Sequence, residues 1–363
     1  MGRAAINVPL KTSGERMVQI APAGTPHLDV KGQKNIHGNV RRFLLHPHVL
    51  PYADSQPPTG FLMSPLEAIS GLAARYLNQK QMLSLRSAYF TARTKLHPVM
   101  RAIYGTFDAA ALRKHLEQKI GCDFDILMVH TSVNHMQPMF TDTPLALVKM
   151  LMAFCGPNKT LVMPTFYFGD PKIGGAYATF SQRPRFDLKK VPSQMGLATE
   201  LFRRMPGVVQ SRHPVYRVAA LGPLARELTK GHELTDCPNG IGSPFDFMAH
   251  HNTRIIGIGK PFQVLTQAHH VEGVMGDDFP VPRGNGAGLG ITVIDGDEEV
   301  EARLTGTNPT WKFNIWKLRG IMSADRLQDW QFHHVPMFAT RAADVTADLL
   351  EAARRGVTLY EKP

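Results

Sequence analysis

The segment Asp125-Ile-Leu-Met-Val-His130-Thr131-Ser132 decides the fold. Its short unbroken apolar run, ending in two hydroxyl residues, predicts a strand buried on both faces. Helical patterns flank it, over Asp108–Lys119 before and Thr143–Phe154 after, and Thr160-Leu-Val-Met-Pro-Thr165 is the next strand. Farther on, strands are expected at Tyr216–Leu221 and Arg254–Gly259, short helices at Leu224–Lys230 and Pro244–His250, and a closing helix at Ala342–Arg355. This alternation defines an α/β domain. Between Tyr167 and Val191, clustered Gly, Pro and Asp suggest a substrate loop, since long connections in compact domains are often functional. Ser193 stands where it would cap a helix running to about Met205.

The composition is that of a folded globular chain: 363 residues, 43% hydrophobic and 20% charged. No apolar run approaches the roughly 18 to 20 residues of a membrane span. Met1 to Val8 lacks an apolar core segment, so no secretory signal is read there. Three scattered cysteines, Cys122, Cys155 and Cys237, suit neither a disulfide framework nor a thiolate zinc site. A cytoplasmic protein is expected. The net charge of +11 is unevenly placed: residues 1–106 hold 13 Lys or Arg against 4 acids. From Ser64 to Tyr104, Leu66, Ile69, Leu72 and Tyr76 recur at helical spacing among basic residues. Residues 1–106 are therefore read as a basic, partly helical extension, with 107–363 as the main domain. A helix pair packed on that domain is the simplest account of the amphipathic stretch. The excess charge also suits an anionic glycan or the inner surface of a membrane, with peripheral association. No nucleic-acid module pattern is present, so no specific nucleic acid is expected.

Four constellations can carry chemistry. Thr131 and Ser132 end a strand, where open α/β sheets bind ligands, although such hydroxyls commonly cap nearby backbone instead. Pro192-Ser193-Gln194-Met195-Gly196 leads into a helix whose exposed N–H groups could hold a phosphate or carbonyl oxygen, or simply be capped. His213, in Gln210-Ser-Arg-His-Pro214, sits at the edge of a strand and titrates near neutrality, yet it is one of 16 histidines. In Thr266-Gln-Ala-His269-His270-Val-Glu272, a helical turn would set His269 and Glu272 on one face. That pair reads either as acid/base machinery beside His213 or as metal ligands with it. Arg283-Gly-Asn-Gly286-Ala-Gly288 imitates a coenzyme A pyrophosphate loop, but a strand rather than a helix should follow, which marks it as a glycine-rich turn.

In order and spacing these segments, with Arg204-Met-Pro-Gly-Val-Val-Gln-Ser-Arg-His-Pro214 and Gly242-Ser-Pro244, resemble the aminoglycoside 3-N-acetyltransferase family from about Phe107 to Tyr360. The resemblance implies a mixed central sheet with flanking helices, the antibiotic N-acetyltransferase type of α/β fold, to which the N-terminal extension is added. It also implies transfer of an acetyl group from acetyl-CoA to an amino group on a sugar, with no metal expected. His213 would be the general base, Glu272 the carboxylate that orients it, and His269 a supporting residue. Thr131, Ser132, Ser193, Met195 and Gly196 would line the coenzyme channel. An amine with a pKa of about 10.4 arrives protonated and needs a base before it can attack.

Two departures stand out. Arg217 occupies a position where the family commonly has serine, and Lys190-Val191-Pro192 replaces a Thr-Thr-Pro. With Arg217 at the presumed substrate wall and a basic extension, a nucleotide- or glycan-linked amino sugar of a surface polysaccharide pathway fits better than a polycationic antibiotic. The alternatives are a metal-dependent amide or ester hydrolase using His213, His269 and Glu272, and a non-enzymatic binder of acidic glycan or nucleic acid through residues 1–106.

Overall fold

The computed structural model describes residues 94–363 except 236, 283–287, 306–310 and 363, together with Gln81, Ser84, Ala88 and Thr91 upstream. Most of the basic extension, and residues 283–287 of the glycine-rich segment, lie outside the described residues. Among the described residues there are twelve strands: β1 Ile126–Thr131, β2 Thr160–Pro164, β3 Arg185–Asp187, β4 Val209–Gln210, β5 Val218–Leu221, β6 Thr253–Ile258, β7 Leu289–Asp295, β8 Glu298–Leu304, β9 Lys312–Phe313, β10 Gln328–Phe332, β11 Val335–Arg341 and β12 Tyr360–Glu361.

Seven of them form a mixed sheet in the order β10-β11-β6-β1-β2-β5-β4. All six residues of β1 are buried, and the strand pairs in parallel with β2 and β6, as its continuous apolar run requires. Alternate residues serve opposite cores. Leu127 and Val129 pack with Leu112, Leu116, Leu147 and Leu151 from the helices Ala109–Ile120 and Pro144–Cys155. Ile126 and Met128 pack with Phe245, Phe338 and Leu349 on the other face. Asp108 caps the first of these helices by accepting the Ala111 N–H at 2.8 Å, and Thr143 caps the second by accepting the Ala146 N–H at 3.1 Å. The mixed α/β architecture is therefore as expected, with the Ala342–Arg354 helix closing the second face.

Two features depart from the expectation, and a third lies where the sequence predicts no element. First, the connection after Tyr167 is not a bare loop. It contains the helix Ala176–Gln182 and strand β3, which joins β7 and β8 in a separate three-stranded sheet over Phe180, Phe186, Ile291 and Val293. Gly169 makes that path feasible: its φ is +100°, and a Cβ there would lie 2.2 Å from the Gly175 carbonyl oxygen. Second, the helix after Ser193 spans only Leu197–Phe202, because Gly196 at φ +114° breaks the path before it. Third, a hairpin joins β10 to β11 through His333 and His334, both at positive φ. His333 Nδ1 donates to the Tyr104 carbonyl at 2.6 Å, and the His334 ring stacks on Tyr104 at 4.1 Å. The helix His97–Tyr104 is thereby tied to the sheet edge, helped by Arg101 donating to the Pro138 carbonyl at 3.0 Å.

Arg217 also overturns an expectation. It is fully buried, at 0% exposure, and lines no substrate wall. Its guanidinium donates to the carbonyls of Thr165 at 2.7 Å, Leu188 at 3.2 Å and Val191 at 2.6 Å, and lies over the Phe186 ring at 4.9 Å. Burial, with Arg203 close by, pushes its pKa down to about 9, so the cation persists at neutral pH. The side chain staples the start of β5 to the turn after β3. Replacing Arg217 by alanine should lower stability by about 3 kcal/mol or more in urea denaturation, because three carbonyls lose their donor. Lysine should not restore it, having no planar fork to span them. A loss below about 1 kcal/mol for alanine would contradict this role.

Candidate functional site

The carboxyl ends of β1, β2 and β6 point to one edge of the large sheet, and the segment before β5 runs along the same edge. Past β2 and β5 their pairing continues: the Thr165 N–H donates to the Arg217 carbonyl at 3.0 Å, and the Tyr167 N–H to that of Val215 at 2.9 Å. This brings Phe166 against Tyr216, with ring centroids 5.2 Å apart. Gln194 secures the floor by accepting the Phe168 N–H at 2.7 Å and donating to the Gly169 carbonyl at 2.8 Å.

The predicted coenzyme residues divide into two groups. Thr131 and Ser193 are buried. The Ser193 hydroxyl accepts the Met195 N–H at 3.1 Å and bonds the Thr199 hydroxyl at 3.0 Å, while its N–H donates to Glu200 at 2.7 Å. It therefore braces the turn from inside. Ser132 and Met195 are half-buried and Gly196 is exposed, with open space where a Cβ would stand. The Ser132 hydroxyl bonds His135 Nδ1 at 2.8 Å.

His213 is 1% exposed, and its ring is sealed rather than turned to a cleft. Nδ1 accepts two backbone N–H groups, from Val215 at 3.1 Å and Tyr216 at 3.0 Å. A neutral ring that accepts twice at Nδ1 carries its proton on Nε2, which is buried without a protein partner among the described residues. Burial, with the His232 ring stacked 4.8 Å away, pushes its pKa well below the ordinary histidine value. His232 is itself pinned: it accepts from the Ser211 hydroxyl at 2.8 Å and donates to the Pro238 carbonyl at 2.7 Å. Position 213 is thus a rigid neutral imidazole that shapes the approach to β5.

His269 and Glu272 do come together. The 3₁₀ turn Thr266–His269 runs into the helix His270–Met275, and His269 Nδ1 lies 2.7 Å from Glu272 Oε1. The same oxygen accepts the Tyr360 hydroxyl at 2.8 Å, from β12 at the far end of the sequence. The His269 ring stacks on Phe313 at 4.4 Å. A small cavity borders Glu272, lined also by Val271, Phe279, Phe313, Leu349 and Tyr360. No hydrogen bond or ion pair joins Glu272 to His213 among the described residues, so the expected orientation of His213 by this carboxylate is not seen. Nor do His213, His269 and Glu272 converge as ligands: among the described residues no group of three His, Cys, Asp or Glu side chains is placed to hold one metal ion.

Sequence reasoning missed Tyr216 and Tyr360. Tyr216 stands beside His213 and is framed by Phe166 and Phe168. Tyr360 carries no local signal, since its partner Glu272 is 88 positions away.

A family model for aminoglycoside 3-N-acetyltransferases matches residues 128–348, and the chain belongs to that family. Among curated relatives, aminoglycoside N(3)-acetyltransferase VII of Streptomyces paromomycinus is 36% identical over 124 residues, 34% of this chain and 42% of its own length. Aminoglycoside N(3)-acetyltransferase III of a Salmonella species is 30% identical over 175 residues, 46% of this chain and 60% of its own. The chain thus spans less than two thirds of the length of either relative. In solved structures the fold matches AAC-IIIb bound to CoASH, with a TM-score of 0.56 at 18% identity, covering 71% of this chain and 100% of that one. Sisomicin-bound AAC-VIa gives a TM-score of 0.55 at 20% identity, covering 70% and 100%. Among the described residues no helix is long and apolar enough to cross a membrane.

The buried histidines generate a pH prediction. Burial pushes His130 and His232 down to about 4, whereas an unfolded histidine titrates near 6.5. Below pH 6.5 the unfolded chain therefore binds more protons than the folded one, and stability falls as pH drops toward 4. At pH 5 each of the two should cost about 2 kcal/mol relative to pH 7.5. Urea midpoints at the two pH values check this, and equal midpoints would refute it.

Proposed function

We propose that this protein is an acetyl-CoA-dependent N-acetyltransferase acting on an amino group of a sugar, with residues 107–363 carrying the chemistry. Family membership supports the reaction class, and the His269–Glu272 contact is the observation that supports the site. A carboxylate accepting at Nδ1 holds the His269 proton there, which leaves Nε2 as the basic nitrogen of the neutral ring. That nitrogen takes the proton from the ammonium form of the acceptor, and Glu272 stabilises the imidazolium that forms. Tyr360 donates to the same carboxylate oxygen and fixes its direction. The amine then attacks the thioester carbonyl directly, with no acyl-enzyme. Under this reading the base is His269, and His213 clamps the backbone of Val215 and Tyr216 ahead of β5. Ser132, Met195 and Gly196 form the accessible coenzyme wall, with Thr131 and Ser193 holding it from behind.

The acceptor follows from charge. With Arg217 committed to three buried carbonyls, the case for a nucleotide- or glycan-linked amino sugar rests on the basic residues 1–106 alone. The amino-sugar class itself is supported by the relatives' names. Release of free thiol from acetyl-CoA, followed with kanamycin-type and UDP-amino-sugar acceptors, tests both levels. Turnover is expected with at least one class. His269→Ala should lower kcat by about 10² to 10⁴, the usual contribution of a general base. Glu272→Gln should lower it by a smaller factor, and turnover unchanged in His269→Ala would refute the assignment. Bound zinc in stoichiometric amount, with no coenzyme A binding, would favour the hydrolase.

A further inference from the structure

Transfer of an acyl group needs a second device besides a base. As nitrogen attacks, the thioester carbonyl oxygen acquires negative charge, and a pre-placed hydrogen-bond donor in a poorly solvated site stabilises it strongly. The catalytic pair itself supplies no such donor: Glu272 accepts, and the basic nitrogen of His269 carries none. His213 Nε2–H is a donor, but its ring is sealed.

Tyr216 answers the requirement. Its backbone is fixed by its N–H bond to His213 Nδ1 at 3.0 Å and by the extension of the β2–β5 pairing on either side. Its ring is held edge-on by Phe166 at 5.2 Å and Phe168 at 6.3 Å, at the carboxyl-end edge of the sheet. Burial raises the phenol to about 12, and the Glu272 carboxylate and Cys237 thiol add to the rise. The phenol thus stays protonated through the working pH range and stands in the electrostatic field of the Glu272 carboxylate. A thiolate leaving group, with a thiol pKa of about 8.5, needs no proton from so weak an acid, which argues for a hydrogen-bond donor rather than a proton source.

We infer that Tyr216 is a catalytic residue whose hydroxyl donates a hydrogen bond to the thioester oxygen as acetyl transfer proceeds. The assignment rests on the acetyl-transfer reading above. The proton balance is closed without it. His269 Nε2 takes the first proton from the ammonium and passes it to water. The neutral amine then forms the C–N bond, its remaining excess proton passes to the freed Nε2, the C–S bond breaks with its electron pair on sulfur, and that proton leaves from His269 to the coenzyme thiolate or water. The Tyr216 O–H stays intact throughout.

The test combines Tyr216→Phe with replacement of Tyr216 by fluorinated tyrosines of graded acidity, in the full-length protein. Tyr216→Phe should keep its thermal midpoint and its calorimetric affinity for coenzyme A while kcat falls about 10² to 10³. With the fluorinated series, the alkaline limb of the kcat–pH profile should move down in step with phenol acidity. A structural tyrosine would leave that limb in place. If the wild-type protein turns over and Tyr216→Phe matches it, or the limb stays fixed, Tyr216 has no such role and the acetyltransferase reading stands. If the wild-type protein binds coenzyme A but transfers acetyl to no amino sugar, the reading itself fails and this assignment falls with it.

Discussion

One carboxylate oxygen organises the site. Glu272 Oε1 accepts from His269 Nδ1 at 2.7 Å and from the Tyr360 hydroxyl at 2.8 Å, so two parts of the chain 88 positions apart meet at a single acceptor. Two charge-assisted bonds to one half-buried oxygen are stronger and more directional than neutral ones, and they fix both a ring tautomer and a ring plane. The helix that carries Glu272 is pressed against the loop before the Pro244–Ala249 helix. Gly273 there would place a Cβ 2.2 Å from the Gly240 Cα, so only glycine allows that approach. His270 Nδ1 donates to the Asn239 carbonyl at 2.6 Å and secures the same junction.

The histidines of this protein have contrasting duties, and hydrogen bonding separates them more clearly than sequence position does. At His213 two backbone donors occupy Nδ1, which forces the proton to Nε2 and, with burial, removes the basicity a general base requires. At His269 a carboxylate accepts at Nδ1, which holds the proton there and leaves Nε2 as the unprotonated nitrogen of the neutral ring. A strand-edge histidine next to proline looks catalytic because its spacing is conspicuous. Its environment makes it a clamp for the backbone of Val215 and Tyr216.

Much of the fold was legible because the central strands are apolar and bounded. β1, β2 and β6 fall within a residue or two of their expected positions, and the helices begin at Asp108 and Thr143 caps visible in the sequence. The β10–β11 hairpin was not legible. Its turn uses His333 and His334 at positive φ in place of the usual Asn or Gly, and the geometry is sustained by contacts with Tyr104 more than 200 residues earlier. Of the site, the His269–Glu272 pair was legible from its i, i+3 spacing. Tyr360 was not, since a two-stranded pairing of β12 with β9 brings it in. Arg217 misled because a cation beside a histidine resembles a substrate contact, and nothing local reveals three waiting carbonyls.

The central claim is a difference in tautomer between two rings, and nitrogen-15 NMR of histidine-labelled protein near pH 7.5 measures it directly. Signals would be assigned by their loss in His269→Gln and His213→Gln. The account predicts the proton on Nδ1 for His269 and on Nε2 for His213. A His269 ring protonated at Nε2, or a His213 ring with its proton on Nδ1, would contradict it.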